Sequence, residues 1–221
     1  MGTIVDLTLR IHEGMPTFPG YWHPFVEIAV LGRHGIEGRS TRKLVLGTHT
    51  GTHIDAPLHF LADGDGVDSL SLAKLVGPAV VADVRPKAAR DPITVDDLTP
   101  YEAEIEQTGR VLIYTGWLES KYEQPDYFSG RPYMTREACE WLIGRSIKLV
   151  GFDMPDFDDP NESTLGKPAP YHVLFLSHGV AIVEGLCNLG QLSQRVVELI
   201  ALPLKVGGGD GAPARVIAIE Q

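Results

Sequence analysis

The chain has 221 residues, 43% of them apolar and 22% charged, and a net charge of −10. That length and composition suit one compact soluble domain whose core is large enough to need no staples. The acidic balance argues against nucleic acid and anionic membrane as partners, since both are bound through basic patches, and leaves small molecules as the expected ligands.

Cys139 and Cys187 form no CxxC pair, so no disulfide framework is expected and a reducing cytoplasm fits. The N-terminus lacks the basic start and apolar run of a signal peptide. Asp6 stands where N-myristoylation requires Ser or Thr. No stretch approaches the roughly 18 apolar residues of a membrane span.

Residues 3–9 alternate as a strand does. Residues 14–20 form a Pro/Gly-rich loop carrying the aromatic Phe18. Residues 25–31 and 40–46 read as two strands around a Gly-rich turn. Then comes His49-Thr50-Gly51-Thr52-His53-Ile54-Asp55-Ala56-Pro57-Leu58-His59, which packs three of the eight histidines and one carboxylate into eleven residues. Imidazole nitrogen plus carboxylate oxygen suits zinc or a neighbouring divalent metal such as manganese. All four candidates sit at odd positions, so they share one face if the segment is extended. The glycines, Pro57 and the threonines favour a strand running into a turn near Ala56-Pro57, with His59 just past it.

A closed structural zinc site leans on cysteine, and this cluster has none. The cluster has one residue more than a catalytic metal with three protein ligands needs. Asp55 has two oxygens and can serve one metal or two. Spacing alone does not decide which member is spare. The turn that separates His59 from the tighter His49/His53/Asp55 set favours His59, and a histidine beside a metal site is placed for acid–base work.

Further along, residues 63–68 resemble a calcium loop but lack its closing glutamate. A turn is expected there, with Asp68 as N-cap of a short helix through Leu75. Residues 79–84 and 110–115 read as buried strands, and residues 94–107 between them as an acidic helix. Residues 135–143 read as an amphipathic helix capped by Thr135, and 148–152 as a strand ending at Asp153-Met154-Pro155. The polar stretch 156–170 is too long for a plain connector. Order resumes over 172–176, and the apolar run 180–183 leads to Glu184. Val196–Pro203 and residues 215–219 are closing strands around Gly207-Gly208-Gly209-Asp210-Gly211. That run lacks the Lys-Ser/Thr of a P-loop and reads as a turn with glycines at positive φ. Strands outnumber helices without strict alternation. A mixed α/β architecture, with residues 1–221 as one domain, is therefore expected rather than a doubly wound parallel sheet.

His172 and Glu184 form a second candidate pair. A glutamate after four apolar residues should be partly buried, and a buried carboxylate needs a cation, a metal or several donors. An ion pair with an arginine satisfies the residues equally well. Twelve positions separate the two, enough for a hairpin that brings them together.

The cluster resembles the signature His-x-Gly-Thr-His-x-Asp-x-Pro-x-His of the metal-dependent cyclase family, which includes bacterial kynurenine formamidases (arylformamidases) and isatin hydrolases. Every fixed position is present. Residues 15–20, Gly77-Pro78-Ala79-Val80-Val81, Thr115-Gly116-Trp117, Gly151-Phe152-Asp153-Met154-Pro155, Val183-Glu184-Gly185-Leu186 and Ala201-Leu202-Pro203-Leu204-Lys205 resemble other family segments, so the likeness covers nearly the whole chain. The resemblance implies a swivelling β/β/α fold and a homodimer or higher oligomer, with the site near the subunit contact. It implies one metal on His49, His53 and Asp55, and a second on Asp55, His172 and Glu184. His59 becomes the acid–base, and Phe18 and Trp22 become substrate contacts. Three departures bear on the substrate. Phe18 replaces a tryptophan common in kynurenine formamidases, Tyr21 replaces an acidic residue, and Met154 stands where a threonine is common.

The expected activity is metal-assisted hydrolysis of an amide C–N bond in an aryl formamide, a lactam or an isatin-like ring. The ion is expected to be zinc (one or two per chain), or manganese. The rival readings are lactone hydrolysis or cyclisation at the same site, and a protein that uses its metal only to bind a small molecule.

Overall fold

Strands carry the architecture of the computed structural model, which describes residues 2–163 and 169–220. In chain order the strands are β1 (Thr3–Asp6), β2 (Glu27–Gly32), β3 (Thr41–Val45), β4 (His53–Asp55), β5 (Val76–Asp83), β6 (Pro92–Ile93), β7 (Arg110–Tyr114), β8 (Tyr133–Met134), β9 (Leu149–Phe152), β10 (Ala181–Glu184), β11 (Val196–Pro203) and β12 (Gly211–Glu220). The helices are α1 (His34–Glu37), α2 (Leu72–Leu75), α3 (Val95–Leu98), α4 (Glu102–Thr108), α5 (Trp117–Lys121), α6 (Arg136–Gly144) and α7 (Pro170–Ser177).

Eight strands hydrogen-bond in the order β1-β12-β11-β5-β7-β9-β10-β4, and β4 also pairs with β12. Seven strands thus close on themselves, with β1 outside on β12. The neighbours β5, β7, β9 and β10 run parallel, and the remaining pairs of this sheet are antiparallel. The mixed α/β expectation is met.

Alternation along the strands builds two cores. Ile54, Ala79, Val81, Leu112, Leu149, Ala181, Val183, Leu199, Val216 and Ala218 meet in one. Their sequence neighbours Val80, Ala82, Val111, Ile113, Val150, Phe152 and Ile182 face the other way, onto Leu98, Ile105, Leu142, Tyr171 and Phe175 of the helices. His53, Asp55 and Glu184 flank inner-core residues on their strands, so they fall on this second side. Two segments of the family likeness are tied by Asp153, whose carboxylate accepts from Thr115 N at 2.9 Å, Thr115 Oγ1 at 2.6 Å and Gly116 N at 2.7 Å.

Several expected elements differ. The acidic helix is broken into α3, a single turn at Thr99–Tyr101 and α4, because Pro100 cannot donate to a continuing helix. Its start is as read: Thr94 and Asp97 form a capping box. Thr135 caps α6 by accepting from Ala138 N at 3.2 Å. Asp68 is not an N-cap. It lies inside the short turn Val67–Ser69, and Ser71 precedes α2. Asp68 instead accepts from Gly208 N at 3.0 Å, which ties this turn to the glycine run. In that run only Gly208 has a positive φ, of 63°. No hairpin joins His172 and Glu184: α7 carries the first and β10 the second. Of the long polar stretch 156–170, residues 164–168 lie outside the described residues.

Candidate metal centre

The histidine-rich segment is less extended than its parity implied. Only His53–Asp55 is a strand, residues 49–52 form a turn, and His59 ends the single turn Pro57–His59. The two chain pieces meet through the sheet. β4 lies antiparallel to β10 with Glu184 directly opposite His53, and to β12 with Gly211 opposite Asp55. The turn before β4 is locked by Thr52, whose hydroxyl donates to Gly185 O at 2.6 Å and accepts from Leu9 N at 2.8 Å. A side chain at residue 185 would meet Gly51 O at 2.8 Å, so Gly185 is what lets the turn approach.

Three imidazoles converge on the two buried carboxylates. His49 Nδ1 lies 2.8 Å from Asp55 Oδ1, and His53 Nε2 lies 3.4 Å from the same oxygen and 3.5 Å from Glu184 Oε2. His172 Nε2 approaches from the other side, 3.5 Å from Asp55 Oδ2 and 3.1 Å from Glu184 Oε1. In each ring the second nitrogen is held from behind. His53 Nδ1 donates to Gly51 O at 2.8 Å, His49 Nε2 faces Asp210 Oδ2 at 2.8 Å, and His172 Nδ1 makes a short contact with Asp158 Oδ2. A metal-binding imidazole is oriented in this way, with one nitrogen on the ion and the other fixed by a carboxylate or carbonyl.

The electrostatics call for positive charge. Burial raises the Glu184 carboxyl to about 7, with the Asp55 charge adding to it and His172 opposing it. Burial works against protonation of His49, yet the Asp55 and Asp210 carboxylates push it up to about 10. His172 is likewise raised against its burial by Asp158 and Glu184. Asp55 is held well below the usual range despite burial, chiefly by His49 and His53. Asp55 Oδ2 is buried with no hydrogen-bond partner. Facing imidazoles and an orphaned carboxylate oxygen fit a divalent cation, which satisfies such an oxygen without a donor. His53, Asp55 and Glu184 offer ligand atoms that all lie within 4.8 Å of one another, and so do His49, Asp55 and His59.

His59 stands at the edge of this set. Its ring stacks on His49 at 3.9 Å between centroids, and its Nδ1 lies 3.3 Å from Asp210 Oδ2, the oxygen that also faces His49. Burial draws its pKa below 6.5. A cavity of about 460 Å³ opens over the cluster, within the range that holds small ligands. Its walls are largely apolar and include Met15, Phe18, Phe60, Tyr127, Phe128 and Pro155, with Trp22 among the other lining residues. Phe18 meets Phe128 edge-on at 5.7 Å, and Trp22 is 63% exposed. The structure thus brings together all eight residues singled out from the sequence.

Sequence reading missed four others. Asp210 passed as part of a glycine turn, and Asp158 as part of a polar loop. His23 lines the same cavity and meets His49 edge-on at 6.0 Å. Gly211 leaves room for His49: a Cβ there would lie 2.8 Å from His49 Cε1 and 2.7 Å from Ile54 O. The Gly-Asp-Gly turn gave one signal, an acidic residue beside a glycine where the chain re-enters a strand.

A family model described as “Putative cyclase” matches residues 5–159. The chain belongs to that cyclase family. A kynurenine formamidase from Bacillus cytotoxicus is 32% identical over 213 residues, 96% of this chain and 95% of the relative. One from Erythrobacter litoralis is 33% identical over 217 residues, covering 98% and 94%. Among solved structures, isatin hydrolase A from Labrenzia aggregata bound to benzyl benzoate superposes with a TM-score of 0.85 at 29% identity, covering 98% of this chain and 93% of the other. An isatin hydrolase bound to the product analogue thioisatinate gives 0.85 at 26% identity, covering 98% and 92%. The expectation of a metal-dependent hydrolase acting on a non-peptide amide bond holds for this member of the cyclase family.

Proposed function

We propose that this cyclase-family chain hydrolyses an amide C–N bond in a small, flat substrate: an aryl formamide, a lactam or an isatin-like ring. His49, His53, Asp55, His172 and Glu184 hold one or two divalent ions, with zinc preferred over manganese, and His59 is the acid–base. The observation that carries this reading is the convergence of three imidazole nitrogens on the two oxygens of Asp55, from opposite sides. A carboxylate addressed in this way would help to hold a divalent ion.

A divalent ion held there lowers the pKa of water from about 15.7 towards 7 and polarises the substrate carbonyl. The chain's residues supply the rest. His59 keeps one ring nitrogen on Asp210 and has the other to exchange a proton between the attacking water and the leaving nitrogen, a role contributing roughly 10²–10⁴-fold. Phe18 and Trp22 flank the substrate ring, each aromatic pair adding about 0.5–1.5 kcal/mol beyond burial. The apolar walls exclude water from the carbonyl and strengthen the charges around it. In this reading residues 1–221 act as one catalytic domain. The buried Cys139 thiol and the unpaired Cys187 suit a reducing cytoplasm, and copies of the chain assemble as a homo-oligomer.

The test is a turnover panel of N-formyl anilines, isatin, bicyclic lactams and lactones, on protein stripped with chelator and reloaded with zinc or manganese. Amide turnover that vanishes on stripping and returns on loading is expected. Turnover confined to lactones, or unaffected by stripping, overturns the reading.

A further inference from the structure

One wall of the cavity over the metal cluster is built of rings in contact. Phe18 meets Phe128 edge-on at 5.7 Å between centroids, Tyr127 meets Phe128 at 4.9 Å, and Tyr122 meets Tyr127 at 5.5 Å. All four residues line the cavity. Edge-to-face contact at such spacing is favoured by aromatic pairs. The main chain behind the wall is fixed. Trp117 Nε1 donates to Tyr127 O at 2.8 Å, and Arg131 Nη1 donates to Phe128 O at 3.2 Å. Arg131 also donates to Asp156 O at 3.1 Å and to Asp158 O at 3.3 Å, which ties the wall to the chain that steadies His172.

This rigid wall carries a polar group that binds nothing in the protein. Tyr127 is only 4% exposed, and its hydroxyl has no hydrogen-bond partner among the described residues. Among those residues the side-chain atoms that are both sealed and unpartnered are Asp55 Oδ2 and the Tyr122 hydroxyl. The Tyr127 hydroxyl is therefore open, and the space it opens on is the cavity. Burial, with Tyr122, Glu184 and Asp153 adding to it, holds this phenol above its usual range, so it presents an O–H at neutral pH. A largely buried donor left unpaired is unfavourable. Neither tyrosine hydroxyl finds an acceptor in the protein, so the acceptor that suits Tyr127 is one the ligand brings.

We infer that Tyr127 is a specificity residue, whose hydroxyl donates to a second oxygen of the substrate, a carbonyl oxygen borne by the ring beside the amide. The inference rests on the amide-hydrolysis reading. There the cleaved carbonyl and the leaving nitrogen are already served, by the metal centre and by His59, which leaves Tyr127 for another oxygen. A flat ring laid along Phe18 and Phe128 brings its rim to the next ring of the wall, which is Tyr127. The Glu184 charge is felt at the phenol, so Tyr127 stands at the metal end of the wall and meets a substituent next to the amide. Substrates with an acceptor there pair the phenol, and those without one bury it unpaired. A site with a hydrogen-bonding group so placed rejects the analogue that lacks the matching group.

The test compares wild type with Tyr127→Phe, both zinc-loaded, on ortho-acetyl formanilide and ortho-ethyl formanilide, which differ only in a ring-borne carbonyl replaced by methylene. The ratio of kcat/KM, acetyl over ethyl, should fall about 2- to 12-fold in the variant, equivalent to one neutral hydrogen bond of about 0.5–1.5 kcal/mol. Calorimetry with the amine products, ortho-acetyl aniline and ortho-ethyl aniline, should show the same fall in the ratio of affinities without any turnover. The removed hydroxyl bonds nothing in the protein, so the variant should melt no lower than wild type. A kcat/KM ratio that stays at the wild-type value, with both substrates slowed alike, overturns the inference and moves Tyr127 to the carbonyl that is cleaved. Wild type that hydrolyses neither amide sinks the amide-hydrolysis reading. Calorimetry then decides Tyr127 alone, and equal affinity ratios in wild type and variant sink it.

Discussion

Asp158→Asn separates the support of the metal centre from its ligands. Asp158 is buried and accepts from Tyr171 N at 2.6 Å as well as contacting His172 Nδ1. Asparagine preserves the size and can still accept from Tyr171 N. Its amide then turns an N–H towards the His172 Nδ1–H, and two donors face each other. His172 escapes by moving its proton to Nε2, the nitrogen that faces Asp55 and Glu184 and must present a lone pair to a cation. A hydrogen bond to a charged group is worth about 1.5–3 kcal/mol, or roughly 10- to 150-fold in affinity at about 1.4 kcal/mol per decade. Carboxylates behind metal-binding histidines cost about 10–100-fold when lost. The assay is competition with a chromogenic metal indicator at fixed pH, alongside melting of the metal-free protein. Affinity should fall within that range while the metal-free melting temperature falls by only a few degrees. Affinity within about twofold of wild type would refute the claim that Asp158 holds the His172 tautomer.

His59→Ala should keep its full metal content while kcat drops about 10²–10⁴-fold; equal loss of metal by elemental analysis would make His59 a ligand instead. Gly211→Ala introduces a Cβ 2.7 Å from Ile54 O and 2.8 Å from His49 Cε1, and such overpacking costs about 1–3 kcal/mol in denaturant unfolding. An unchanged midpoint would show that the turn yields freely. Thr94→Ala breaks the capping box of α3 and should cost about 0.5–2 kcal/mol. Asp97 in that box is opposed by burial but held below 3.8 by Lys87 and Thr94, so its contribution is complete above pH 3.8 and is lost as pH falls through its folded value. The stability gap between Thr94→Ala and wild type should accordingly narrow in strong acid, where the bond from the Thr94 hydroxyl to the Asp97 carboxylate is lost, and a gap that widens there would reverse the sign.

The candidate residues of the histidine-rich segment were legible because local spacing carries them. His49, His53, Asp55 and His59 lie within eleven residues, and even where the strand reading failed beyond His53–Asp55, so short a segment keeps its side chains close. Glu184 was legible as a charge after an apolar run, although its alternative, an arginine partner, was open until β10 was seen to place it opposite His53. The broken acidic helix was misread because period and composition outweighed a single Pro100. The β2–β3 hairpin was read correctly as two strands, but alternation alone does not show that it forms a separate sheet with nearly all of its residues exposed.

The outer carboxylates were illegible for a topological reason. Asp210 stands 161 residues from His49 and reaches it only because β12 starts beside β4, at the seam where the seven strands close. No local pattern records that seam. The same seam explains the glycines that flank Asp210: Gly211 must lack a side chain for His49 to lie over it, and Gly208 bends the chain back into β12 after a contact with Asp68. The turn that reads as punctuation therefore delivers an oxygen that faces both His49 and His59. Position along the chain gathers His49, His53, Asp55 and His59, whereas strand pairing brings Glu184 to them and closure of the sheet decides how His49 and His59 are aimed. Substitutions at the seam should therefore disturb the orientation of His49 and His59 more than that of His53, Asp55, His172 and Glu184.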